Sequence, residues 1–136
     1  MPGRYTLVEH TADLRLRGEG DHPGEVIVAL LRGLGTVLFG REPGGVPARW
    51  IPWNAPEGLP SPYALVELLQ EALFAAATGD GVAVDFEGDL ASGRLGLAPL
   101  APGLEPVREV KAVTYNEARL ERRPGGTWVA EVTLDL

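Results

Sequence analysis

The chain has 136 residues, 45% of them apolar, with a formal net charge of −7 and no cysteine. That length and apolar content suit one folded domain over residues 1–136 and exclude a disordered chain. The missing cysteine excludes disulfides, thiolate metal sites and cysteine nucleophiles, and the acidic balance argues against tight direct binding to phosphate backbones.

Tyr5-Thr6-Leu7-Val8 opens as a short strand. His10-Thr11-Ala12-Asp13 interrupts it, and Leu14-Arg15-Leu16-Arg17 resumes with strict alternation. Alternation puts Leu14 and Leu16 on a core face and Asp13, Arg15 and Arg17 on the other. Asp21 is suited to cap a helix that runs from Val26 to Phe39, with Pro23 in its first turn. Gly33 and Gly35 weaken that helix and predict a close approach by a sheet. Residues 40–62 are rich in glycine and proline around Arg49-Trp50-Ile51-Pro52-Trp53, which reads as a short edge strand because proline lacks an N–H. Trp50 and Trp53 suit either a core cover or a partner surface.

Ser61-Pro62 starts a second helix whose Leu65, Leu68, Leu69, Ala72, Leu73 and Ala76 share a face. Glu67, Gln70 and Glu71 lie opposite, and Gly79 is its stop. Val82 to Glu87 and Arg94 to Leu97 read as strands. Val107 to Arg122 reads as one long strand, and Pro124-Gly125-Gly126 turns it into Thr127 to Leu136. The class is α+β: a mostly antiparallel mixed sheet with two helices packed on one face. No apolar run is long enough to span a bilayer and the start lacks a signal pattern, so a soluble cytoplasmic protein is expected.

The usual phosphate-loop, zinc-protease and serine-elbow motifs are absent. Of the two histidines, His22 falls at a helix start and His10 before a strand kink. Two other features stand out. Lys111 is the only lysine among twelve basic residues, and a compact ammonium is not equivalent to a guanidinium fork. Asp135-Leu136 closes the sequence on a strand, so the Leu136 α-carboxylate stands one residue from a side-chain carboxylate. If the last strand lies beside the strand that holds Asp13, a third acid joins them. Clustered carboxylates repel unless a cation intervenes, and an all-oxygen donor set suits calcium or magnesium better than zinc.

The stretches Tyr5 to Asp13, Leu65 to Phe74, Glu109-Val110-Lys111-Ala112-Val113-Thr114-Tyr115 and Thr127 to Leu136 together resemble the archease family, in order and over nearly the whole chain. Archeases activate the tRNA-splicing RNA ligase, which works through a guanylylated histidine and divalent metals. The resemblance implies a non-enzymatic activator that promotes guanylylation and multiple turnover. It implies a divalent cation, most often calcium, held by Asp13, Asp135 and the terminal Leu136, with the functional lysine at Lys111. The chain departs from the family pattern at Arg15, Leu68 and Asn116. Arg15 is expected to place a guanidinium near the acids. Two other readings stay open: a metal-dependent hydrolase of a small phosphate ester built on the same acids, and a chaperone-like modulator of another tRNA-modifying enzyme that docks through Trp50 and Trp53.

Overall fold

The two alternating runs at the start of the chain pair with each other. The computed structural model describes residues 3–9 and 13–136. In it β1 (Arg4–Glu9) and β2 (Asp13–Gly20) form an antiparallel hairpin. The His10-Thr11-Ala12 part of the N-terminal motif lies outside the described residues. Helix α1 (Pro23–Phe39) follows. Its N-cap is His22 rather than Asp21, because the Glu25 carboxylate reaches back to accept the N–H groups of both Asp21 and His22, each at 3.1 Å. That satisfies two backbone donors at the positive end of the helix dipole.

The remaining elements are β3 (Arg49–Asn54), α2 (Ser61–Ala77), β4 (Val82–Gly88), β5 (Ser92–Ala98), β6 (Ala112–Arg122) and β7 (Trp128–Asp135). Their order matches the sequence pattern, and every strand pair among the described residues is antiparallel. The strands divide between two sheets, β1-β2-β7-β6 and β3-β5-β4, where the pattern alone suggests a single sheet.

The outer edge of β6 is occupied by α2: Gln70 Oε1 accepts the Val113 N–H at 2.5 Å, and the Tyr115 hydroxyl donates to Glu67 at 2.7 Å. At Val113 the outward N–H is therefore taken by a side chain and is not open to a further strand. On the other sheet β3 is an edge strand, as Pro52 demands.

The helices pack on the apolar face of the four-stranded sheet, and α1 also contacts β4 of the second sheet. Leu14, Leu16, Leu30, Leu65, Leu69, Val132 and Leu134 are buried in the resulting core. The close approach expected at Gly33 is present: a Cβ there would fall 2.6 Å from Leu16 Cδ1. Gly35 faces Pro43 instead of a sheet, with a Cβ 2.6 Å from Pro43 Cγ. Trp53 is core, its Nε1 donating to the Leu90 carbonyl at 3.0 Å. Trp50 lies beneath the Arg94 guanidinium, 4.3 Å from the ring centroid.

One strand is shorter than its sequence suggests. Residues 107–111 do not join β6. The Val107 N–H donates to the Leu38 carbonyl at 2.7 Å, which ties the segment after Pro106 to the end of α1. Lys111 is therefore the residue just before the strand.

Among the described residues no helix is long and apolar enough to cross a membrane.

Candidate cation site

The alternation of β2 and β7 decides what meets what. The two strands pair with Leu14, Leu16 and Gly18 opposite Leu134, Val132 and Ala130, which fixes the apolar face. A one-residue slip would turn every leucine to solvent, so the register is firmly specified. The same register puts Asp13 directly opposite Asp135. Directly opposed residues share a face, with Cβ atoms about 4.5–5.5 Å apart, and like charges in that position destabilise the sheet. Asp135 is also paired with Ala112 of β6 on its other side. The Lys111 N–H donates to the Asp135 carbonyl at 2.8 Å, so the lysine backbone stands at the same strand end. Its side chain is exposed, and among the described residues no carboxylate pairs with it.

The expected guanidinium near these acids is directed elsewhere. Arg15 donates through Nε and Nη2 to Glu131, with the Nε contact at 3.1 Å, and through Nη1 to Glu117 at 2.7 Å. Arg119 Nη2 donates to the other Glu131 oxygen at 2.5 Å. Burial alone pushes the Glu131 carboxyl up, but Arg119 and Arg15 together outweigh it and hold the group below the usual carboxylate range.

This network also holds down an irregular stretch of β6. Between Thr114 and Arg119 the strand takes five steps while β7 takes two, from Thr133 to Glu131. In the resulting bulge Glu117 has φ 53, a left-handed conformation unusual outside glycine. Arg15 grips its carboxylate, and the Thr133 hydroxyl donates to the Asn116 carbonyl at 3.1 Å.

Sequence reasoning missed this network. One signal was available: Glu131 is a charged residue in the middle of β7, on the face that alternation assigns to Arg15 and Arg17.

Among the described residues no three His, Asp or Glu side chains cluster closely enough to hold a metal. The structure thus brings two carboxylates together at a strand end. Leu136 follows one residue on in the sequence. Two or three protein groups are fewer than the six to eight oxygens calcium takes. The set suits a hard cation whose coordination is completed by water or by a partner's phosphates.

A model of the archease protein family (MTH1598/TM1083) matches residues 5–136. The archease of Pyrococcus furiosus is 31% identical, with 94% of this chain and 95% of that protein covered. The archease of Pyrococcus abyssi is 29% identical, with 98% and 99% covered. The solution structure of Methanobacterium thermoautotrophicum protein 1598 superposes with a TM-score of 0.69 at 22% identity, covering 97% of this chain and 98% of that one. A Thermotoga maritima crystal structure described as an archease, possible chaperone, gives a TM-score of 0.57 at 17% identity, covering 95% and 94%. At those identities the two structures speak for the fold alone. The family match runs from Tyr5 to the final residue, and this chain belongs to the archease family.

Proposed function

We propose that this chain is a non-enzymatic activator of the tRNA-splicing RNA ligase, promoting guanylylation of the ligase and its multiple turnover. The observation that carries the reading is the register that sets Asp13 opposite Asp135, with the Lys111 backbone bonded to the same residue. Two opposed carboxylates with no arginine partner among the described residues are suited to receive positive charge. Asp13, Asp135 and the Leu136 carboxylate would hold a divalent cation, calcium by donor type. When bound, it would supply positive charge to neutralise phosphate oxygens at the ligase's nucleotide site. Lys111 is the contact for a phosphate or a ligase carboxylate, as a compact charge with rotatable donors.

The test is ligation of RNA ends over many turnovers, with and without this protein. Wild type is expected to sustain turnover, and Asp135→Ala and Lys111→Ala to lower it about tenfold or more, as losing one charged contact does. Variants that activate as well as wild type would sink the reading. A chaperone-like role draws on the description of the Thermotoga maritima protein. It predicts that Asp135→Ala still raises the yield of soluble, active ligase on co-expression.

A further inference from the structure

The outward face of α2 is unlike the rest of the surface. Tyr63, Glu67, Glu71 and Phe74 recur at helical spacing along one stripe. Phe74 is 64% exposed, and Tyr63 is 40% exposed. Tyr115, from the β6 bulge, adds a third aromatic at 48% exposure, packed edge-on against Tyr63 with centroids 5.2 Å apart. Between α2 and the end of β3 lies a groove of about 370 Å³, lined by Trp53, Asn54, Pro56, Glu67, Gln70, Glu71 and Phe74. Its charged lining is wholly acidic.

The acids of this groove differ from the acids that are ion-paired within the chain. Glu19, Glu42, Asp80, Glu87, Glu117, Glu121 and Glu131 each face an arginine of the same chain. Helix α2 contains no basic residue at all. Among the described residues neither Glu67 nor Glu71 has an ion-pair partner, Glu67 accepting only from the Tyr115 hydroxyl. Elsewhere the molecule shows how it satisfies such a combination. Arg94 sits with its guanidinium over the Trp50 ring and its Nε and Nη2 on Glu87, at 2.7 and 2.5 Å. The groove presents the same two halves, an aromatic ring and a carboxylate, without the arginine.

We propose that this groove receives an arginine side chain from a partner protein, with the guanidinium against Phe74 and bonded to Glu71. A planar guanidinium can lie flat on a ring face while its edge bonds a carboxylate, a geometry a compact ammonium does not offer. Nucleic acid is disfavoured because both charged groups repel phosphate. Gln70 belongs to the groove and also bonds Val113, two residues after Lys111. A partner docked there lies along the strand that leads to the Asp13–Asp135 pair. The identity of the partner as the ligase rests on the proposed function; the arginine chemistry of the groove does not.

Two measurements separate these claims. In the first, Nα-acetylargininamide is titrated into the whole protein and amide chemical shifts are followed. The expected result is saturable shifts concentrated in residues 53–56 and 67–74, weakened about fivefold or more in Glu71→Arg and in Phe74→Ala. Shifts spread evenly over surface carboxylates, or unchanged by both variants, overturn the groove. So does displacement by a single-stranded RNA oligonucleotide that itself binds there. In the second, the ligase is titrated against wild type and both variants, with calcium affinity measured alongside. Weaker complex formation with unchanged calcium affinity supports docking at the groove. Equal binding by all three proteins overturns it. If wild type fails to bind the ligase while arginine still fills the groove, the proposed function fails and the groove stands with another protein as its occupant.

Discussion

Two acidic spots on the same sheet face are treated in opposite ways. In the middle of β7, Glu131 is nearly buried and is met by Arg15 and Arg119 from the strands on either side. At the end of the same strand, Asp135 faces Asp13, another acid. The first arrangement closes its electrostatics inside the molecule. The second leaves like charges opposed, which costs stability unless a positive group arrives from outside. Arg15 marks the boundary. It is two residues from Asp13 on the same face, yet its donors go to Glu131 and Glu117. The contrast separates a group that supports the fold from a pair held ready for binding.

The largest effect is expected in the middle. Glu131→Gln leaves Arg15 and Arg119 without their shared acceptor, and urea unfolding should show a loss of about 3 kcal/mol, at the low end for a buried pair because Arg119 is half exposed. The sign with pH follows from the carboxyl being held below its ordinary value of 4.5. Its stabilisation is complete above that value and is lost as pH falls through the folded value. Wild type should therefore weaken more steeply than Glu131→Gln under acid. A loss under about 0.5 kcal/mol would mean the network behaves as an exposed one and the contrast collapses. At the strand end, calcium at ten times its Kd should stabilise wild type by about 1.4 kcal/mol and leave Asp13→Asn unmoved. Equal stabilisation of both proteins in a thermal scan would place the ion elsewhere. The smallest effect sharpens the comparison most: without added cation, Asp135→Asn should stabilise by about 0.3 kcal/mol, since it removes a cross-strand repulsion. A measurable destabilisation would show that the pair is already neutralised from within.

Much of this was legible in residue order. The periods of β2 and β7 assign Leu14, Leu16, Val132 and Leu134 inward, and once the two strands pair, that assignment puts Asp13 and Asp135 on one face. Pro52 announces an edge, and Gly33 announces a helix packed tightly on a sheet. What local patterning does not contain is pairing across distance. Nothing near Gln70 says that its amide will take the N–H of Val113 and close the sheet there. Val107 to Lys111 is as strand-like as Ala112 to Arg122, yet Val107 bonds Leu38 and the strand begins only at Ala112. The bulge at Tyr115 to Ala118 is hidden for the same reason, because extra residues within a strand show only against the partner strand. Arg15 reaches that bulge from β2 through Glu117, a relation invisible along the chain.

The plug that Gln70 and Glu67 set on β6 reaches beyond sheet size. At Val113 a partner finds the backbone donor already taken, which hinders laying its own backbone alongside, the route by which many extended peptides bind and by which misfolded copies stack into fibrils. On the smaller sheet, Pro52 interrupts the equivalent border of β3. At these two positions recognition is left to side-chain chemistry, and the edge is harder to extend there with copies of itself.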